Sequence, residues 1–190
     1  MSEFDHMREK LSLRGKNGIA FIAAASVIWC LITMLFFLPL DQHTQNIGML
    51  FATGLMFRFA LAASVLLKAE WKFDGHPLAS LGSQQNVAQV MYIPLVLWAV
   101  SMAPSQAVLF LAVIVAAHFF PYGWLYNTRA FYVMSPVMVL MLFGTSIVTN
   151  AVWAIPGAMV VLLLLLAGWL HVDFRSKVKH QEERKEQVAG

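Results

Sequence analysis

The sequence predicts an all-α fold: a polytopic membrane bundle of six transmembrane helices, with both termini cytoplasmic. Three observations lead there. Hydrophobic residues make up 59% of the 190 residues and charged residues only 12%, about half the ~25% of an ordinary soluble domain. The apolar residues gather in long stretches with almost no charge, and the Lys and Arg between them fall on alternate connections only. A soluble domain of this size must cover its surface with polar groups, and a mean hydropathy of +0.68 leaves too few. The composition excludes a soluble globular protein, a disordered chain and a nucleic-acid module.

A spanning helix needs roughly 20 mostly apolar residues to cross a hydrocarbon core of ~30 Å. Gly18 to Leu40 supplies the first uncharged run, and Asn46 to Leu67 the second, interrupted only by Arg58. Val87 to Met102 and Ser105 to Phe120 are shorter and are read as two spans. A re-entrant hairpin around Ala103-Pro104-Ser105 is the alternative. Phe131 to Thr149 and Ala151 to Leu170 complete the six. The first run is expected to be retained, because a charged segment precedes it and its small cluster Ala23-Ala24-Ala25-Ser26 lies inside the apolar stretch.

Orientation follows from Lys and Arg near span ends. Arg8, Lys10, Arg14 and Lys16 precede the first span; Lys68, Lys72 and Arg129 lie on later connections; Arg175, Lys177, Lys179, Arg184 and Lys185 follow the last. In the six-span arrangement all of these share one side. The connections near Thr44, Ala103-Pro104 and Asn150 carry none. The net charge of +3 is therefore topological, and no nucleic-acid partner is expected. The chain divides into a cytoplasmic N-terminal segment (1–17), a six-span domain (18–171) and a charged cytoplasmic tail (172–190). Phe4, Met7 and Leu11 share a helical face, which fits either a helix lying on the inner membrane surface or a solvated charged end. The tail reads as a frayed helix end or disorder.

Arg58 is the remaining cation, deep in the second span. Such a charge costs ~2.5–3.5 kcal/mol on insertion scales, and no Asp or Glu lies in any span. Gly54 and Ala62 at i−4 and i+4 favour close helix approach, so Arg58 is expected to face inward. It reads either as an anion-binding or gating residue or as a structural arginine between helices. The run from His118 to Pro136 is rich in hydrogen-bonding aromatics: Tyr122, Trp124, Tyr126 and Tyr132, with His118, Asn127 and Arg129. An aromatic belt at the interface explains many of these; Pro121-Tyr122-Gly123 and the Asn-Thr-Arg turn fit a binding surface as well. Ser26, Gln89, Tyr92, His118, Tyr122 and Ser135 fall at one predicted depth, with Arg58 at its edge. Polar groups in a membrane avoid lipid and face one another, which predicts a cavity open to the cytoplasm.

The candidate ligand-binding residues are Arg58, Tyr92, His118, Tyr122, Tyr126 and Asn127. The expected activity is binding or facilitated transport of a small anionic or aromatic solute. The competing class is a non-transporting interaction, assembly or sensory protein. No catalytic residue, metal or cofactor is expected: no span holds a carboxylate, Cys30 is the single cysteine, and no two of the six His share ligand spacing. Pro94, Pro136 and Pro156 are expected to kink their helices. Ala20–Ala24, Ala112–Ala116 and Ala154–Ala158 have small-xxx-small spacing, which allows a homo-oligomer through small-residue faces.

Two stretches, Leu13-Arg14-Gly15-Lys16-Asn17-Gly18 and Phe120-Pro121-Tyr122-Gly123-Trp124-Leu125-Tyr126-Asn127, carry a resemblance. Over Leu11 to Trp169 the chain resembles a family of small bacterial integral membrane proteins described only as a domain of unknown function. The resemblance implies a multi-pass protein of the bacterial plasma membrane and brings no activity, substrate or site. The chain does not resemble the small multidrug transporters, which carry a membrane-embedded Glu in the first span.

Overall fold

The computed structural model describes residues 3–70 and 77–189 and is helical throughout, with no strand among the described residues. The described residues form, in order, α1 (Glu3–Arg14), α2 (Ile19–Phe37), α3 (Gln42–Gly54), α4 (Met56–Leu66), α5 (Ala79–Val90), α6 (Ile93–Met102), α7 (Ala107–His118), α8 (Phe120–Leu125), α9 (Arg129–Val148) and α10 (Ala154–Ala189). Among the described residues four helical stretches are long and apolar enough to cross a membrane: Lys16–Phe37, Pro104–Leu125, Arg129–Val148 and Ala154–Gln187. The pair α3 and α4 adds a fifth if taken as one bent span; the bend is 42°.

Local chemistry sets the helix ends. Leu38 precedes Pro39 and leaves the helical region at φ −71°, ψ 145°, as the residue before a proline tends to do. Asp41 then caps α3, accepting from the Thr44 N–H at 3.0 Å and the Thr44 hydroxyl at 2.6 Å. Those two hydrogen bonds hold its carboxyl below the usual aspartate value. Thr128 caps α9, its hydroxyl accepting from the Ala130 N–H at 3.3 Å.

The centre of the bundle is α2, α7, α9 and α10. α10 lies along α2 and α9, and α7 along α9. Ala20 and Ala24 on α2, and Ala107, Ala112 and Ala116 on α7, are buried within the chain. Two of the small-residue pairs that the spacing offered for self-association are thus used in internal packing. Ser135 adds a buried hydrogen bond from α9 to the Ala116 carbonyl of α7 at 2.7 Å. α3 and α4 pack on α2, while α5 and α6 pack on α7.

Two segments differ from the sequence reading. The stretch 87–102 is not one helix; it breaks at Met91–Tyr92 into α5 and α6. Pro94 sits in the first turn of α6, where its missing N–H costs nothing, so the chain restarts a helix there instead of kinking one. The tail is the second. α10 continues as helix to Ala189 in place of the expected frayed or disordered end.

The reason is a polar knot at one end of the bundle. The Lys177 ammonium lies 3.0 Å from the Asp173 carboxylate. It also donates to the Ser12 hydroxyl (2.9 Å), the Asn17 side-chain oxygen (3.1 Å) and the carbonyls of Tyr126 (3.0 Å) and Asn127 (2.9 Å). Asn17 donates to Asp173 at 2.9 Å and to the Leu170 carbonyl at 3.2 Å, and Ser12 donates to Asn17. Arg8 reaches the Trp124 carbonyl at 2.5 Å and lies over the Trp124 ring at 4.9 Å. Arg14 pairs with Glu70 at 2.5 Å. These contacts dock α1 on the bundle end, with Leu11 and Ser12 buried. They also hold Lys16, Asn17 and Gly18 at φ of 48°, 55° and 75°, a left-handed turn that L-residues adopt only when surroundings enforce it. Gly18 has a second constraint: a Cβ there would sit 2.8 Å from the Tyr126 ring.

Candidate functional site

A cavity of about 1060 Å³ lies among α2, α3, α4, α5, α6, α7 and α8, at the upper end of the ~300–1,000 Å³ range of ligand pockets. Its walls are mostly apolar: Phe21, Ala25 and Trp29 on α2, Ala60 on α4, Val96 on α6, and Leu111 and Val115 on α7. Phe57 on α4 and Val90, Tyr92, Ile93 and Leu97 across from it also line the cavity, yet all five side chains are exposed. The cavity therefore opens sideways, between α4 on one flank and the α5–α6 break on the other.

The polar groups gather at the end nearest the Lys177 knot. The Tyr122 hydroxyl donates to the Asn86 side-chain oxygen at 3.1 Å, with the Gly82 carbonyl farther off at 3.5 Å. His118 Nε2 lies 3.4 Å from the same hydroxyl, one helical turn away, and the two rings meet edge to face at 5.3 Å. With its proton on Nε2, His118 donates to the phenol oxygen. Gln89 stands one turn beyond Asn86 on α5 and also lines the cavity. Tyr126 stacks on Tyr122 with centroids 6.0 Å apart and on Phe131 at 6.3 Å. The helix α8 makes this stack possible. Pro121 starts it, and Gly123 leaves room for the Tyr132 ring, which a Cβ would approach to 2.9 Å.

Of the residues expected from sequence, Tyr92, His118, Tyr122 and Tyr126 share this cavity, with Gln89 from the same predicted depth. Ser26 does not: its hydroxyl is buried on its own helix, donating to the Ile22 carbonyl at 2.9 Å. Asn127 lies elsewhere. Its carbonyl serves Lys177, and its side borders a smaller cleft of about 560 Å³ with Arg129, Tyr132, Trp169 and Asp173. Arg58 corrects the inward expectation. It is exposed, as are Gly54 and Ala62, and it does not line the cavity. The buried residues of α4 are Ala60 and Ser64; Arg58, two positions before Ala60, falls about 200° around the helix. The face of α4 that packs on α2 carries Ala60 and Ser64, not the Gly54 and Ala62 that the spacing around Arg58 suggested.

Chemically, the lining combines neutral hydrogen-bonding groups with flat rings. Among the described residues that line it there is no Asp, Glu, Lys or Arg. Asn86, Trp29 and Phe57 were not singled out from sequence. Asn86 and Gln89 share a helical face at i and i+3, a signal available once α5 is known to be a helix.

Fold and cavity together define an all-helical protein with several helices able to cross a bilayer and a laterally open, apolar chamber with one polar end. The chain belongs to DUF7010, a family of unknown function, whose model matches residues 4–173. Comparison with curated proteins and with solved structures gives no match.

Proposed function

We propose that this is a multi-pass protein of the bacterial plasma membrane that binds a lipid-soluble molecule in the α2–α8 cavity, entered sideways from the bilayer. The single observation that carries this reading is the placement of exposed apolar residues Phe57, Val90, Ile93 and Leu97 around the opening of an apolar chamber. In a membrane such an opening faces hydrocarbon, and a ligand passes from lipid to protein without crossing water. Release toward the polar end turns binding into facilitated passage. The anionic alternative for the small solute, expected from Arg58, has no support from this geometry, since Arg58 is not in the lining and no Lys or Arg is among the described lining residues.

The same proposal places both termini in the cytoplasm with six crossings. α2, the α3–α4 pair, α7, α9 and α10 supply five. α6 supplies the sixth with help from α5, because ten residues of helix reach only about 15 Å at ~1.5 Å per residue. The one-sided distribution of Lys and Arg supports this arrangement. Reporter fusions after Thr44 and Asn150 are expected to read outside, and those after Asn127 and Glu183 inside. An outside signal at Asn127 contradicts it.

Lateral access is tested with Trp29, a buried residue that lines the cavity. The protein is reconstituted in phosphatidylcholine brominated on its acyl chains, which quenches indole on contact. If acyl chains enter, Trp29→Phe removes quenchable emission. If the chamber is closed to lipid, the same substitution removes only unquenched emission, and the proposal fails.

A further inference from the structure

We infer that the ligand of this cavity is a neutral flat ring bearing carbonyl oxygens on a hydrocarbon chain, the chemistry of a lipid quinone. The inference rests on the cavity reading above and narrows it by three independent features of the lining.

Charge is the first. Among the described residues that line the cavity there is no Asp, Glu, Lys or Arg, and His118 is the one titratable side chain besides the tyrosines; an ionic head group buried without a partner is strongly disfavoured. Phosphate, carboxylate and ammonium heads are thereby selected against, and a neutral head is admitted. Hydrogen-bonding capacity is the second. Tyr126 is only 6% exposed and lines the cavity, yet no hydrogen bond from its hydroxyl forms among the described residues. The Gln89 side chain is likewise without one. A phenol O–H in the cavity wall with no acceptor among the described residues is open to a ligand, and a ring carbonyl supplies that acceptor. The Gln89 amide offers a second donor. Shape is the third. Tyr122 and Tyr126 stack with their planes 17° apart, and Tyr126 and Phe131 lie within 28°. Phe131 is tilted by 45° to Tyr122, so the near-parallel pair Tyr122–Tyr126 is the flat part of this ring cluster, suited to a planar ring more than to a bulky head. From there apolar walls lead to the lateral opening, where a hydrocarbon chain would continue into lipid.

The test uses the purified full-length protein in detergent and three probes sharing one chain: a decyl-substituted benzoquinone, decanol and decyl sulfate. Binding is read by the ligand-induced rise in unfolding temperature. The quinone is expected to bind tightest, decanol more weakly, and decyl sulfate not at all beyond its effect as a detergent on Arg58→Leu and wild type alike. Tyr126→Phe removes only the hydroxyl. It is expected to leave the ligand-free protein as stable as wild type, or slightly more so, and to weaken the quinone by about five- to tenfold, one hydrogen bond. Decanol affinity for the variant should fall less. Tighter binding of decyl sulfate than of the quinone overturns the inference, and so does an unchanged quinone affinity in Tyr126→Phe; in both cases a chain-bearing ligand has bound and the cavity reading survives. If none of the three probes binds, the cavity reading itself falls and this inference with it.

Discussion

Lys177→Met is expected to destabilise the protein by about 3 kcal/mol, the scale on which removing one partner of a buried ion pair acts. The substitution keeps most of the side chain's length and apolar stem. What it removes is the ammonium that Ser12, Asn17, Tyr126, Asn127 and Asp173 share. Lys177 retains 16% of its side-chain exposure and Asp173 29%, so water cannot fully replace the lost donor. Two backbone carbonyls and a carboxylate are left short of partners. Thermal unfolding of the purified protein should show a clear loss, and limited proteolysis should cut α10 beyond Asp173 much faster. Lys179→Met provides the comparison. Its partner Glu183 is 3.9 Å away and its own side chain is 77% exposed, and exposed pairs of this kind contribute ~0–1 kcal/mol. Equal unfolding temperatures for the two variants would show that the knot does not hold the tail. Because Lys177 clamps the carbonyls of Tyr126 and Asn127, its loss should also weaken ligand binding at the polar end of the cavity.

That knot shows where sequence reasoning stopped. Runs of about 20 uncharged residues are a strong signal, since only a helix satisfies its own backbone in hydrocarbon; 18–40 and 131–149 coincide well with α2 and α9, and 151–170 with the first half of α10. The run 105–120 coincides with α7 and its lead-in turn. The tail was misjudged because its mixed charge resembles disorder. Yet Asp173–Lys177 and Lys179–Glu183 are both i, i+4 pairs with acid and base facing along a helix, a pattern that residue spacing alone makes legible. Ser12 and Asn17 were not legible. Their role depends on three successive residues with positive φ, and only the bundle end that they touch enforces that turn.

The site was readable in part for a similar reason. His118, Tyr122 and Tyr126 recur at i, i+4 and i+8, so any helical continuation through α8 stacks them on one side. Tyr92 reached the cavity through a helix break that Pro94 hinted at but did not locate. Arg58 went the other way because inward and outward faces of α4 differ little in residue size, and a four-residue spacing cannot say which face a neighbour covers. Asn127, one residue past Tyr126, sits at φ 49°, and that left-handed turn sends the chain to the Lys177 knot and away from the cavity.

The most direct measurement of the central claim fills the chamber. Val115 is half-buried on α7 and lines the cavity; Ile147 on α9 is 81% exposed and lies outside it. Val115→Trp and Ile147→Trp therefore add the same indole, once into the space and once away from it. Overpacking a filled core costs ~1–3 kcal/mol, whereas an indole entering open space should leave the unfolding temperature near that of wild type. Each protein is purified from its own membranes, and the lipid-soluble molecules retained are quantified by mass spectrometry against protein. Wild type and Ile147→Trp are expected to retain a common apolar molecule in near-stoichiometric amount, and Val115→Trp to lose at least nine-tenths of it while staying folded. Equal retention by a folded Val115→Trp, or no retained molecule in wild type, would contradict a ligand-binding cavity.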